Sequence, residues 1–188
     1  MRKFYALANV ARIDVATEED IPRKYTFKDQ SDEITAEVRV SEGEEADLRV
    51  RNVIHAVNRT EDIPKGYDIG ITQAVVSPEL LAIIDGGEWN KETKTYKGIE
   101  AGAPVERTPF TLDVFTEDKD SSGETLSYVK FTFRHCKGSP ISFTFKDGEF
   151  FVGEMGLKST ASSGERVVEF EELKELPPEN TENADETL

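Results

Sequence analysis

The segment ITAEVRVSEGEEADLRVRNVIHAVNR, residues 34–59, carries the pattern on which the rest of the chain is organised. Ile34, Ala36, Val38 and Val40 alternate with Thr35, Glu37, Arg39 and Ser41. A period of two is the signature of a strand with one buried face. The polar stretch 41–47 contains Gly43 and reads as a turn. Beyond it Leu48, Val50, Ile54 and Ala56 share one parity, with Asn52 interrupting. Arg49, Arg51, Val53, His55 and Val57 share the other. Residues 34–59 therefore read as one hairpin with long arms. The outward parity turns from polar to apolar at Val53, which predicts that this part is covered, by the same chain or by another.

The same alternation recurs downstream. Phe110, Leu112 and Val114 form one such series, Val129, Phe131 and Phe133 a second, and Ile141, Phe143 and Phe145 a third. Asp147-Gly148 between two strand-like runs is a hairpin-turn signal. A strand to about Ser159, the turn ASSG and a last strand over 165–171 complete the series. Upstream, a strand falls within 3–16 and a short one at Tyr25–Phe27; Tyr67–Val76 is a further strand. Residues 88–109 read as a loop or a loose hairpin around Lys91–Lys94.

One helix stands out. Ser77 can cap, Pro78 suits the first helical position and Glu79 favours the positive end of the helix dipole. Leu80, Leu81, Ile83 and Ile84 give it an apolar face, and Gly86-Gly87 end it. The predicted fold is all-β with one short α-helix: an antiparallel sandwich or barrel with a long hairpin arm. A single domain spans 1–175. Residues 176–188, acidic and proline-bearing, read as a disordered tail.

Bulk composition narrows function. The 188 residues carry a formal net charge of −15. Phosphate neutralisation needs clustered Lys and Arg, and anionic membranes repel such a chain. The single cysteine, Cys136, excludes an internal disulfide and argues for a reducing compartment. No stretch has the apolar length of a signal peptide or a membrane span. His135 and Cys136 are strand neighbours and point to opposite faces, so Cys136 reads as a core thiol. The two histidines and one cysteine lack zinc spacing, and 117–124 lacks the register of a calcium loop. No catalytic residue, cofactor or metal is expected. Trp89 and Tyr96 read as packing their loop against the helix.

From Gly66 to Phe170 the chain resembles the major tail tube proteins of long-tailed bacteriophages. The order carries it: GYDIGITQAVV leads into SPELLAIIDGG and EWNKETKTYKG; PFTLDVFTEDKD, YVKFTFRHCKGSP and ISFTFKDGEFFVGEMGLKSTASSG follow. The resemblance implies a tail-tube sandwich that assembles in hexameric, stacked rings around a lumen conducting DNA without binding it. It implies a virion tail protein, assembled in the host cytoplasm, whose partners are itself and other tail proteins. The arm then marks the subunit interface, with Arg39, Arg49, Arg51, Val53, His55, Val57 and Arg59 as its residues and the arginines facing Glu and Asp of a neighbour. Another tail or connector sandwich, or a cellular carbohydrate- or peptide-binding sandwich, are the alternatives.

Overall fold

The computed structural model describes residues 4–28, 31–73, 77–102, 104–143, 147–148 and 153–179. Twelve strands and one helix are present among them: β1 (Leu7–Thr17), β2 (Lys24–Phe27), β3 (Ser31–Ser41), β4 (Glu45–Val50), β5 (Val53–Arg59), β6 (Ile63–Gln73), α1 (Pro78–Asp85), β7 (Glu88–Asn90), β8 (Thr95–Lys97), β9 (Phe110–Lys119), β10 (Thr125–Gly138), β11 (Gly153–Lys158) and β12 (Glu169–Leu173). The main sheet runs β2-β1-β9-β10-β11-β6-β3, with β12 also paired to β10. All of these pairings are antiparallel. The fold is all-β with one short helix.

The sheet folds over at β10. Tyr128–Thr132 of β10 pair with β12, and Thr125–Cys136 pair with β9. Only Lys137 and Gly138 reach β11 in the second layer. Between Phe133 and Cys136 the register slips, and His135 there adopts a left-handed backbone, φ 50°. A bulge of this kind bends a strand and lets it serve two layers. Ile13, Val15, Phe110, Leu112, Val114 and Phe133 face Ile69, Ile71, Met155 and Leu157 across one continuous core. The odd positions of β1 and the even positions of β9 are the inward ones, as a period of two requires.

Helix α1 forms where its sequence signals lie. Ser77 is the N-cap and accepts from the Leu80 amide, Pro78 opens the first turn, and Gly86 closes the last with φ 86°. Leu80, Leu81, Ile83 and Ile84 are buried. Each contributes about 1.5–3 kcal/mol on leaving water. The helix approaches β10 so closely that a Cβ on Gly138 would collide with the Ile84 carbonyl.

Several expectations require correction. Residues 34–59 are not one hairpin. β3 pairs with β6, and β4 and β5 pair only with each other. Alternation fixes a strand's faces but not its partner, and the strand that returns along β3 is β6. The last strand covers 169–173 instead of 165–171. The reason is local: Ser162 to Glu165 close a turn, and Glu165 is drawn to His135. At Asp147-Gly148 there is a turn, with only Gly148 left-handed (φ 78°) of the two. The strand arms at 144–146 and 149–152 lie outside the described residues, although Ser142 bridges Glu154 across them. The loose hairpin at Lys91–Lys94 is real, as β7 and β8.

The chain's C-terminal part is laid on the outer face of the first layer. Arg12, 2% exposed, donates to the Pro177 carbonyl (2.6 Å) and to Asp14 (2.7 Å), and its guanidinium lies 4.6 Å from the Phe115 ring centre. Phe115 points away from the main core yet is buried beneath this cover. Burial lifts the Asp14 carboxyl above its ordinary value, against the opposing pull of Thr26 and Arg12. Residues 180–188, most of the expected tail, lie outside the described residues.

Candidate subunit interface

The arm is a continuation of the β3–β6 ribbon past the edge of the core. Along β3 the inward parity loses its cover: Ile34 packs against the core, whereas Val38 is 53% and Val40 43% exposed. Beyond Ser41 the two chains pinch together. The Gly43 amide donates to Asp62, the Glu44 amide to the Thr60 hydroxyl, and the Thr60 amide to the Glu44 carbonyl. Gly43 is forced there, because any Cβ would overlap the Thr60 carbonyl. After the pinch, β4 and β5 run paired to a turn at Arg51-Asn52.

Every residue of β5 is exposed. Leu48, Val53, Ile54 and Val57 are each more than half exposed, so the apolar switch expected at Val53 is present but nothing in the described chain covers it. Folded chains rarely leave several large aliphatics together in water without a use for them. Arg51 is also strained. Its φ of 55° is left-handed, a conformation that costs a side-chain-bearing residue about 1–2 kcal/mol.

The candidate arginines part company in the structure. Arg39 is held within the chain: its guanidinium donates to the Ser159 carbonyl, and Nε lies 3.3 Å from Asp68. It braces the ribbon where the arm leaves the body. Arg49, Arg51, Arg59 and His55 lie on the arm itself and form no hydrogen bond or ion pair through their side chains with the described residues.

Charge is segregated along the arm. The root, residues 42–47 with the facing residues 58–62, carries Glu42, Glu44, Glu45, Asp47, Glu61 and Asp62 against one cation, Arg59, which stands opposite Glu45. The tip, residues 48–57, carries Arg49 and Arg51 and no carboxylate. The sequence contained this division, but its meaning depended on knowing that both stretches belong to one projecting ribbon.

The remaining surface offers little chemistry. Cys136 is buried, its thiol donates to the Phe133 carbonyl, and burial pushes it up to about 12. A thiol so protonated is no nucleophile near neutrality. His135 sits on the opposite side, between Glu18 (2.5 Å) and Glu165 (3.3 Å), and the hydrogen bond to Glu18 raises its pKa. Trp89 and Tyr96 pair across β7 and β8; the Tyr96 hydroxyl donates to Asp85 at the end of α1, which bears out the packing role for Tyr96. A cleft of about 870 Å³ lies between α1, β7–β8 and residues 106–108. Its walls carry Glu79, Glu88 and Glu106 against Arg23, Lys91 and Lys97, so it favours neither sign of charge. Among the described residues no three of His, Cys, Asp or Glu are arranged to hold a metal ion.

No protein-family model matches the chain, and neither does any curated protein sequence. Among solved structures, it is similar to a chain in the extended PVC sheath–tube complex of an extracellular contractile injection system. The identity is 15% and the TM-score 0.45, over 87% of this chain and 90% of that one. It is similar also to a chain in the six-fold symmetrised baseplate of the anti-feeding prophage, at 11% identity and TM-score 0.43, over 90% and 97%. A third is in the tube-terminating cap of the same particle, at 11% identity and TM-score 0.41, over 91% and 94%.

Proposed function

We propose that this chain is a structural subunit of a tail tube, assembling head to tail into stacked, six-membered rings, and that it catalyses nothing. The observation that carries the proposal is the arm: a whole strand, β5, stands exposed with its aliphatic side chains uncovered, and Arg49, Arg51 and Arg59 of the arm form no ion pair among the described residues. The sheet supports it. β3 ends one side of the sheet order and β2 the other, so among the described residues each copy presents two different unpaired edges. Different edges meeting between identical copies make a heterologous contact, which closes into a ring or propagates as a polymer. The tail-tube resemblance of 66–170 points the same way.

In this reading the arm residues Arg49, Arg51, Val53, His55, Val57 and Arg59 contact a neighbour, and Arg39 fixes the arm's exit angle. The net charge of −15 keeps a passing DNA strand from adhering to the bore, since fixed cations would hold its phosphates. The tube belongs to a virion tail put together in the host cytoplasm with other tail proteins. Negative-stain electron microscopy of the purified chain, with light scattering across concentration, tests this. Rings or tubes whose mass grows with concentration are expected. Dispersed monomers under every condition would sink the proposal, and a single ring of fixed mass would favour a connector-type subunit instead.

A further inference from the structure

The arm's two ends are complementary to each other, not only to an unspecified neighbour. Its tip offers Leu48, Val53, Ile54 and Val57 beside two free arginines. Its root offers Val38 and Val40, the part of the inward sheet face that overhangs the core, next to Glu42 and Glu44. Both carboxylates are exposed and make no ion pair among the described residues. One chain cannot bring the two together. The tip lies a full two-stranded ribbon beyond the pinch at Gly43 and Thr60, and β4 and β5 stay paired along that length, through a register shift between Leu48 and Arg49. Two copies can.

We infer that the tip of each arm docks on the arm root of the next copy, with aliphatics of 48–57 covering Val38 and Val40 and with Arg49 and Arg51 against Glu42 and Glu44. This rests on the assembly proposed above and names its contact. The occupant is a second copy because the charge pattern is self-complementary: an acidic ribbon end and a basic one occur on every chain, so each copy both gives and receives. Opposed potentials of this kind set register and reject wrong alignments more than they add affinity. An arm laid tip to tip would put arginine on arginine; root to root would put carboxylate on carboxylate. Only tip to root satisfies both, and that arrangement repeats without limit or closes on itself.

Charge reversal tests it in the full-length chain. Arg49→Glu with Arg51→Glu makes an acidic tip, and Glu42→Lys with Glu44→Lys makes a basic root. Each pair alone is expected to lower the assembled fraction in sedimentation velocity at least tenfold. The fourfold variant, and an equimolar mixture of the two double variants, are expected to restore it. Circular dichroism melts of all variants separate loss of docking from loss of folding, and only variants that melt like the wild type are scored. If wild type assembles and the double variants assemble equally well, or the combinations fail to rescue, the tip-to-root contact is wrong and assembly stands. If wild type itself never assembles, the assembly proposal fails first. Rescue confined to DNA-containing samples would show the arginines serving nucleic acid and would also overturn the contact.

Discussion

Replacing Val53 and Val57 together by Asp separates what the arm does for its own chain from what it does for a neighbour. Both side chains are more than half exposed, 58% and 55%. Their loss removes little from the isolated fold. Exposed positions on a strand change stability by within about 1 kcal/mol, which for a chain of this size moves the melting temperature by roughly 2–4 °C. A contact that covers the arm is affected very differently. Burying the exposed half of a valine is worth about 1 kcal/mol, so the pair gives about 2 kcal/mol per contact, a factor of about 30 in the association constant. Aspartate adds the cost of drying an unpaired carboxylate, at least about 1–3 kcal/mol each. Assembly should therefore disappear at concentrations where wild type forms rings or tubes, while the melt hardly moves. Val53→Ala with Val57→Ala should fall between, retaining assembly at roughly ten- to thirtyfold higher concentration. The assay is sedimentation velocity over a dilution series, beside thermal melts. Unchanged assembly in the Asp variant would refute the arm as an interface. A melting temperature lowered by far more than a few degrees would refute the claim that the arm stands free of its own body.

Arg51→Gly relieves the left-handed backbone and should raise the melting temperature by about 2–4 °C, while weakening assembly because the tip loses a cation; both changing in the same direction would contradict the account of Arg51. Arg12→Met strands Asp14 and should cost about 3–5 kcal/mol in denaturant unfolding, most of it recovered when Asp14→Asn is added. His135 titrates above its ordinary value because it holds Glu18, so its stabilisation is complete below about 6.5 and is lost as pH rises through the raised pKa. On Glu18, burial acts upward but the backbone and ring hydrogen bonds of His135 outweigh it and hold the carboxyl low; that contribution is lost as pH falls below the ordinary carboxylate range. Wild-type stability should thus decline above about pH 6.5, and His135→Gln should flatten that decline; an unaltered pH profile in the variant would show the clamp to be idle.

The chain's own order of residues determined the local units of this protein. Alternation at 110–114 and 129–133 produced β9 and β10 because a half-buried strand has no other way to place its aromatics. Ser77, Pro78 and Gly86 set both ends of α1, since capping depends only on near neighbours. The burial of Cys136 was decided by the bulge: Phe133 and Cys136 have opposite parity, and both face the core because the register slips between them. Pairing was decided elsewhere. That β3 returns to β6 and not to the strand after its turn depends on the pinch at Gly43 and on a core that ends beside Ile34, and both are long-range facts. Arg39 and Arg49 look alike in sequence; only the folded chain shows that Asp68 and Ser159 hold one while the other is left free on the arm. A residue's face is set by the period of its own strand, but whether that face meets water, core or another copy depends on where the rest of the chain stops covering it.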